Sequence, residues 1–178
     1  MEYYSLGIDP GWKNLGYAIV YNSLKDGIRL VEASTLNPSD NPVKVIHKLR
    51  ADLRKYGPRY ACIERYVSYQ GVTSAETENI LMLIGGMYYQ TIDEGTFVHT
   101  VRAIDWKTDL VKNLVIAKGF DNPSSSLDKK FSMAAAKACL TEGDFKNDHE
   151  ADAICLACSP ILAEKAQSVR KAKSTSRG

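Results

Sequence analysis

Hydrophobic and polar positions alternate from Tyr3 to Ile8, the period-two pattern of a half-buried strand. Pro10-Gly11 and the loop Trp12-Lys13-Asn14-Leu15 break it. Gly16 to Tyr21 reads as a second strand, and Ile28 to Leu36 as a third after the Lys25-Asp26-Gly27 turn. Short turns between three strands predict an antiparallel meander. Asn37 to Asn41 is rich in turn formers. Pro42 to Tyr56 then places Val45, Ile46, Leu49 and Leu53 at helical spacing, with Pro at the start and Gly57-Pro58 as the stop. Arg59 to Ile63 is a fourth strand, and the intervening helix predicts that it returns parallel to the first. Ser74 to Gln90 is a long helix with Ser74 as its cap, and Thr96 to Ala103 a fifth strand. Helical spacing covers Trp106 to Ala117, Leu127 to Leu140 and Glu150 to Ala163, with Lys118 to Ser126 expected as a mobile loop. The fold class is α/β: a five-stranded mixed sheet flanked by helices.

Composition bounds this picture without changing it. A chain of 178 residues with 44% hydrophobic and 25% charged positions suits one globular domain, and a net charge of +2 decides little. The distribution of charge says more. Residues 1–164 are expected to form the domain, and 165–178 a disordered basic tail carrying Lys165, Arg170, Lys171, Lys173 and Arg177 with no acid. Such a tail suits either solubility or contact with nucleic acid. No apolar run reaches the ~18 residues of a membrane span and no secretory signal opens the chain, so a cytoplasmic protein is expected. Cys155 and Cys158 form a C-x-x-C inside an apolar helix with no second pair at zinc spacing; with Cys62 and Cys139 they read as packed, reduced thiols.

The candidate chemistry lies at the ends of apolar runs. Asp9 closes the first strand, Glu64 the fourth, and His149 and Asp152 stand three apart at the start of the last helix. A carboxylate ending an apolar run is costly unless donors or a cation meet it. Each has a plainer reading alone: a turn aspartate at Asp9-Pro10-Gly11, an ion pair of Glu64 with Arg65, a helix N-terminal acid at Asp148 or Asp152. Together they point elsewhere. Adjacent parallel strands would bring Asp9 and Glu64 side by side, and one face of the helix would add His149 and Asp152. Clustered carboxylates stay ionised together only with cations between them, and oxygen-rich sites favour Mg²⁺ or Mn²⁺. Two such ions about 4 Å apart suit in-line displacement at phosphorus.

Leu6-Gly7-Ile8-Asp9-Pro10-Gly11 with Gly16-Tyr17-Ala18 resembles the opening motif of the RuvC-type Holliday junction resolvases. Ala61-Cys62-Ile63-Glu64 resembles their second acidic motif, and His149-Glu150-Ala151-Asp152-Ala153-Ile154 the closing one. The resemblance implies a ribonuclease H-like fold, a homodimer, and paired symmetric nicks across a four-way DNA junction that leave a 5′ phosphate and a 3′ hydroxyl. It makes Asp9, Glu64, His149 and Asp152 metal-binding catalytic residues holding two Mg²⁺, with Mn²⁺ as a substitute, and Asp9 between the two ions. It also implies catalytic lysines. Trp106-Lys107 resembles the segment of one, and Lys129 or Lys130 falls near the other. The Lys118 to Ser126 loop departs from the family's glycine-containing pattern.

Lys13, Arg65, Tyr66, Tyr69, Lys112 and Lys118 are the candidate DNA contacts. Aromatic residues beside a nuclease centre can stack on unpaired bases, and lysines can meet phosphates. Gly85-Gly86 inside the Ser74 to Gln90 helix costs about 1 kcal/mol per glycine against alanine, which close helix approach would offset. Met82, Leu83, Gly86 and Met87 are therefore the expected two-fold interface, where the family dimerises. The competing functions are a nuclease of the same scaffold acting on flaps, other branched DNA or RNA–DNA hybrids, and a junction-binding protein without activity.

Overall fold

The computed structural model describes residues 2–66, 74–121 and 129–175. Strands β1 (Glu2–Asp9), β2 (Leu15–Ser23) and β3 (Gly27–Leu36) form the expected meander. Helix α1 (Pro42–Tyr56) leads to β4 (Tyr60–Glu64), and α2 (Ala75–Asp93) to β5 (Phe97–Val101). Helices α3 (Ala103–Lys118), α4 (Lys129–Cys139) and α5 (Asp148–Thr175) complete the chain. The sheet order is β3-β2-β1-β4-β5, antiparallel across the meander and parallel from β1 through β4 to β5.

Strand alternation divides the molecule into two cores. Leu6, Ile8, Tyr17, Ile19, Ala61 and Ile63 point to one face and pack against Val45, Leu49 and Leu53 of α1 and Leu83 and Met87 of α2. Tyr3, Ala18, Val20 and Cys62 point to the other and meet α3, α4 and α5. Ser5, Gly7 and Asp9 share that second face of β1 by the period of two.

Helix α5 is the centre of the second core. Ala153 through Cys158 are fully buried, and the small residues among them let the helix backbone lie directly on the sheet. The strands answer with glycine. A Cβ on Gly7 would stand 1.9 Å from the Ala153 carbonyl oxygen, and one on Gly16 would stand 2.1 Å from that of His149. Ser5 Oγ closes the same seam by donating to the Ala157 carbonyl at 2.7 Å.

The ends of several elements differ from the sequence reading. α3 begins at Ala103, where Arg102 bonds Asp105 through both carboxylate oxygens and stiffens the first turn. α5 runs to Thr175 rather than Ala163, so 165–175 is helical where a disordered tail was expected. No glycine interrupts the helix before Gly178, and Ala166 is still buried against the core. The four cysteines are free and buried, as expected of packed thiols. Among the described residues no helix is long and apolar enough to cross a membrane.

Candidate active site

Parallel pairing of β1 with β4 ends at Ile8 opposite Ile63, so Asp9 and Glu64 leave the sheet side by side at its carboxyl edge. The first turn of α5 arrives over them. Its start is fixed by Asn147, whose Oδ1 accepts the Glu150 backbone N–H at 3.0 Å while the buried Glu150 side chain accepts the Lys146 N–H at 2.8 Å. This is a capping box displaced by one residue. Asn147 also bonds Thr35 at the end of β3. The cap and the Gly16 contact together set where His149 and Asp152 point.

Each acid in the cluster meets a donor. His149 Nδ1 lies 3.2 Å from Asp9 Oδ2. Trp106 Nε1 donates to Glu64 Oε2 at 2.7 Å. Lys107 Nζ reaches Asp152 Oδ2 at 3.4 Å. Lys129 Nζ sits 2.6 Å from Asp148 Oδ2 beside the cluster.

These partners do not balance the charge. Burial, then repulsion from Asp9, pushes the Glu64 carboxyl up to about 7 despite the indole bond. Burial raises Asp152 as well, with Lys107 pulling the other way. The hydrogen bond and charge of Asp9 raise the His149 imidazole, favouring its cationic form. Among the described residues Asp152 Oδ1 is buried with no hydrogen bond of good geometry, although the Ser132 hydroxyl beside it pulls the carboxyl downward. A buried acceptor met this weakly is unusual in a native interior.

The donor set therefore suits a hard divalent cation in chemistry: three carboxylates from three elements and an imidazole. As the side chains stand, no group of three His, Cys, Asp or Glu among the described residues could hold a metal ion. His149, Trp106 and Lys107 take the oxygens that a cation would share.

The other predicted residues separate into those at the cluster and those elsewhere. Lys107 joins it, Lys129 borders it through Asp148, and Lys130 is exposed outside these bonds. Lys13, Arg65 and Tyr66 are exposed on the loops that follow β1 and β4, while Tyr69 lies outside the described residues. Lys112 lies 3.6 Å from Asp109 on the wall of a groove of about 850 Å³ between β5, α3 and α5. Lys118, exposed at the end of α3, also has a structural task. Its Nζ donates to the carbonyls of Ala138 and Cys139, closing the end of α4.

The interface set divides by helical period. Met82 and Gly86 face outward, but Leu83 and Met87, one turn apart with Ile80, pack into the first core. Four contributors were not assigned from sequence: Trp106 as the partner of Glu64, Asn147 as the helix cap, and Gly7 and Gly16 as close-approach positions. The cap had a signal in Asn147 standing three before Glu150, and the glycines in their place inside strands.

No protein-family model and no curated protein matches the sequence. Similarity lies in the structure. Thermus thermophilus RuvC in complex with a Holliday junction substrate superimposes with a TM-score of 0.66 at 16% identity, covering 90% of this chain and 94% of that one. The yeast mitochondrial Holliday junction resolvase gives 0.58 at 15% identity, covering 94% and 83%. In its mixed five-stranded sheet and flanking helices, this chain has the ribonuclease H-like fold of the RuvC-type resolvases.

Proposed function

We propose that this protein is a Mg²⁺-dependent endonuclease that resolves four-way DNA junctions by paired symmetric nicks. One observation carries the reading. Asp9, Glu64 and Asp152 meet at the carboxyl edge of the sheet with too few donors to balance them, on the fold of structures named as Holliday junction resolvases. Asp9, Glu64, Asp152 and His149 would hold the ions, Mn²⁺ serving in place of Mg²⁺. Bound there, divalent cations supply activation of water and stabilisation of the leaving 3′ oxygen.

The chain's own residues do the remaining work. Lys107, which lies 3.4 Å from Asp152, would be placed to face the scissile phosphate. As an alternative to holding an ion, His149 would position or shuttle protons near the water, a task suited to neutral imidazole. Lys13, Arg65 and Tyr66 line the approach, where basic and aromatic groups suit a backbone with unpaired bases.

A homodimer follows from the same reading. Met82 and Tyr89 are each 76% exposed on the outer face of α2. Gly85 has open space where a side chain would go, and Gly86 meets only Ile46 at an ordinary distance. Among the described residues nothing within one chain requires these helix glycines. A second α2 packed close across a two-fold axis would, and it would match the junction's own pseudo-symmetry.

The test is cleavage of a synthetic four-way junction beside linear duplex, a flap and an RNA–DNA hybrid, with wild type and Asp9→Asn. Paired nicks on the junction are expected, falling at least about a hundredfold in the variant while junction binding persists. Preferential cutting of the flap or hybrid would replace the substrate, and binding without cutting in Mg²⁺ or Mn²⁺ would overturn the nuclease reading.

A further inference from the structure

Two consecutive residues of α3 hold two different part-buried carboxylates. Trp106 is 3% exposed and its indole N–H donates to Glu64 Oε2 at 2.7 Å. Lys107 reaches Asp152 at 3.4 Å, and its Nζ lies 5.0 Å from the centre of the Trp106 ring. One acid receives a neutral donor, the other a charge.

The surroundings make the neutral donor firm. Arg65, next after Glu64, donates its backbone N–H to the Val101 carbonyl at 2.6 Å, tying the end of β4 to the end of β5. α3 begins two residues later. Trp106 also lines the groove between β5, α3 and α5, together with Tyr60 and Leu110, and is buried in the core on that side of the sheet.

We infer that Trp106 is a positioning residue: it fixes the Glu64 carboxylate for cation binding without placing a positive charge beside it. The inference rests on the metal-dependent reading above. A lysine or arginine could satisfy the same oxygen, but its charge would repel a divalent cation a few ångströms away. A phenylalanine would fill the space and leave a buried carboxylate without its donor. The indole orients Glu64 and leaves the negative charge of the cluster available. Lys107 then acts as the movable partner, and Trp106 as the fixed one.

Trp106→Phe separates the N–H from the packing. In a calorimetric Mg²⁺ titration without DNA, the variant is expected to bind about tenfold more weakly, the order seen when partners of metal ligands are removed. Its melting temperature in EDTA should stay near that of wild type. On a junction, the Mg²⁺ needed for half-maximal cleavage should rise by a similar factor while the KM for DNA stays unchanged. A second readout uses the chain's two tryptophans. With Trp12→Phe, emission comes from Trp106 alone and should shift as Mg²⁺ binds, and adding Glu64→Gln should remove that shift.

Equal Mg²⁺ affinity in wild type and Trp106→Phe would overturn the inference, as would an emission shift that survives Glu64→Gln. A wild type that binds Mg²⁺ in this Trp106-dependent way yet cuts no junction would sink the resolvase reading and leave the role of Trp106 standing.

Discussion

The two faces of the sheet each bury acids, and they treat them differently. On the α1 side, Asp52 is 8% exposed and receives the Tyr17 hydroxyl at 2.9 Å and Lys48 Nζ at 2.8 Å. Lys48 also bonds Glu32 and lies 4.9 Å from the centre of the Tyr17 ring. Burial works against the Lys48 charge, but hydrogen bonds to Asp52 and Glu32 outweigh it and hold the ammonium protonated. On the α5 side, Asp9, Glu64 and Asp152 share His149, Lys107 and a neutral indole, and two of the three carboxyls are pushed upward. The first network is complete within the chain. The second needs something more, which is how a binding site differs from a structural one.

The comparison can be broken at its geometry first. Gly16→Ala would drive a methyl into the His149 carbonyl and displace the start of α5. We expect a loss of about 3 kcal/mol or more in denaturant unfolding, with cleavage lost because His149 and Asp152 move.

Lys48→Met tests the complete network. It strands Asp52 and Glu32 without their cation, and about 2–3 kcal/mol of stability should go in urea melts. Junction cleavage at a temperature where the variant is folded should stay near wild type. Strong loss of cleavage there would show that the two faces are coupled.

Glu64→Gln tests the incomplete site and should have the opposite sign. The folded-state pKa of about 7 lies above the ordinary 4.5, so the folded protein holds that proton more tightly than the unfolded chain. The resulting cost is absent below about pH 4.5 and complete above about pH 7. In EDTA at pH 8 the variant should gain about 1–2 kcal/mol, fading as the pH falls through that window, while cleavage is abolished. A variant less stable than wild type at pH 8 would mean that Glu64 is a structural acid like Asp52.

The acids of the site were legible because each closes a local pattern. Asp9 and Glu64 end apolar runs, so their places side by side followed from the strands they close and a parallel return. His149 and Asp152 share a face by helix period alone. The expected N-cap of α2 is also where it was read, with Ser74 accepting the Thr77 N–H at 3.1 Å. The partners were not legible. Trp106 stands 42 positions from Glu64, and Lys118 closes a helix 20 positions away. In each case the side chain's role depends on which element packs above it, which no local spacing encodes.

By itself the sequence determined the order and type of the elements, the places of Asp9 and Glu64 at the sheet edge and of His149 and Asp152 at the start of the last helix, because hydrophobic period marks where strands and helices run. Only the tertiary structure decided which donor meets each acid. It turned Leu83 and Met87 inward while leaving Met82 and Gly86 out, and it carried α5 through the basic segment to Thr175. Those outcomes turn on contacts between distant segments, where close backbone approach at Gly7 and Gly16 and the depth of each neighbour set the geometry.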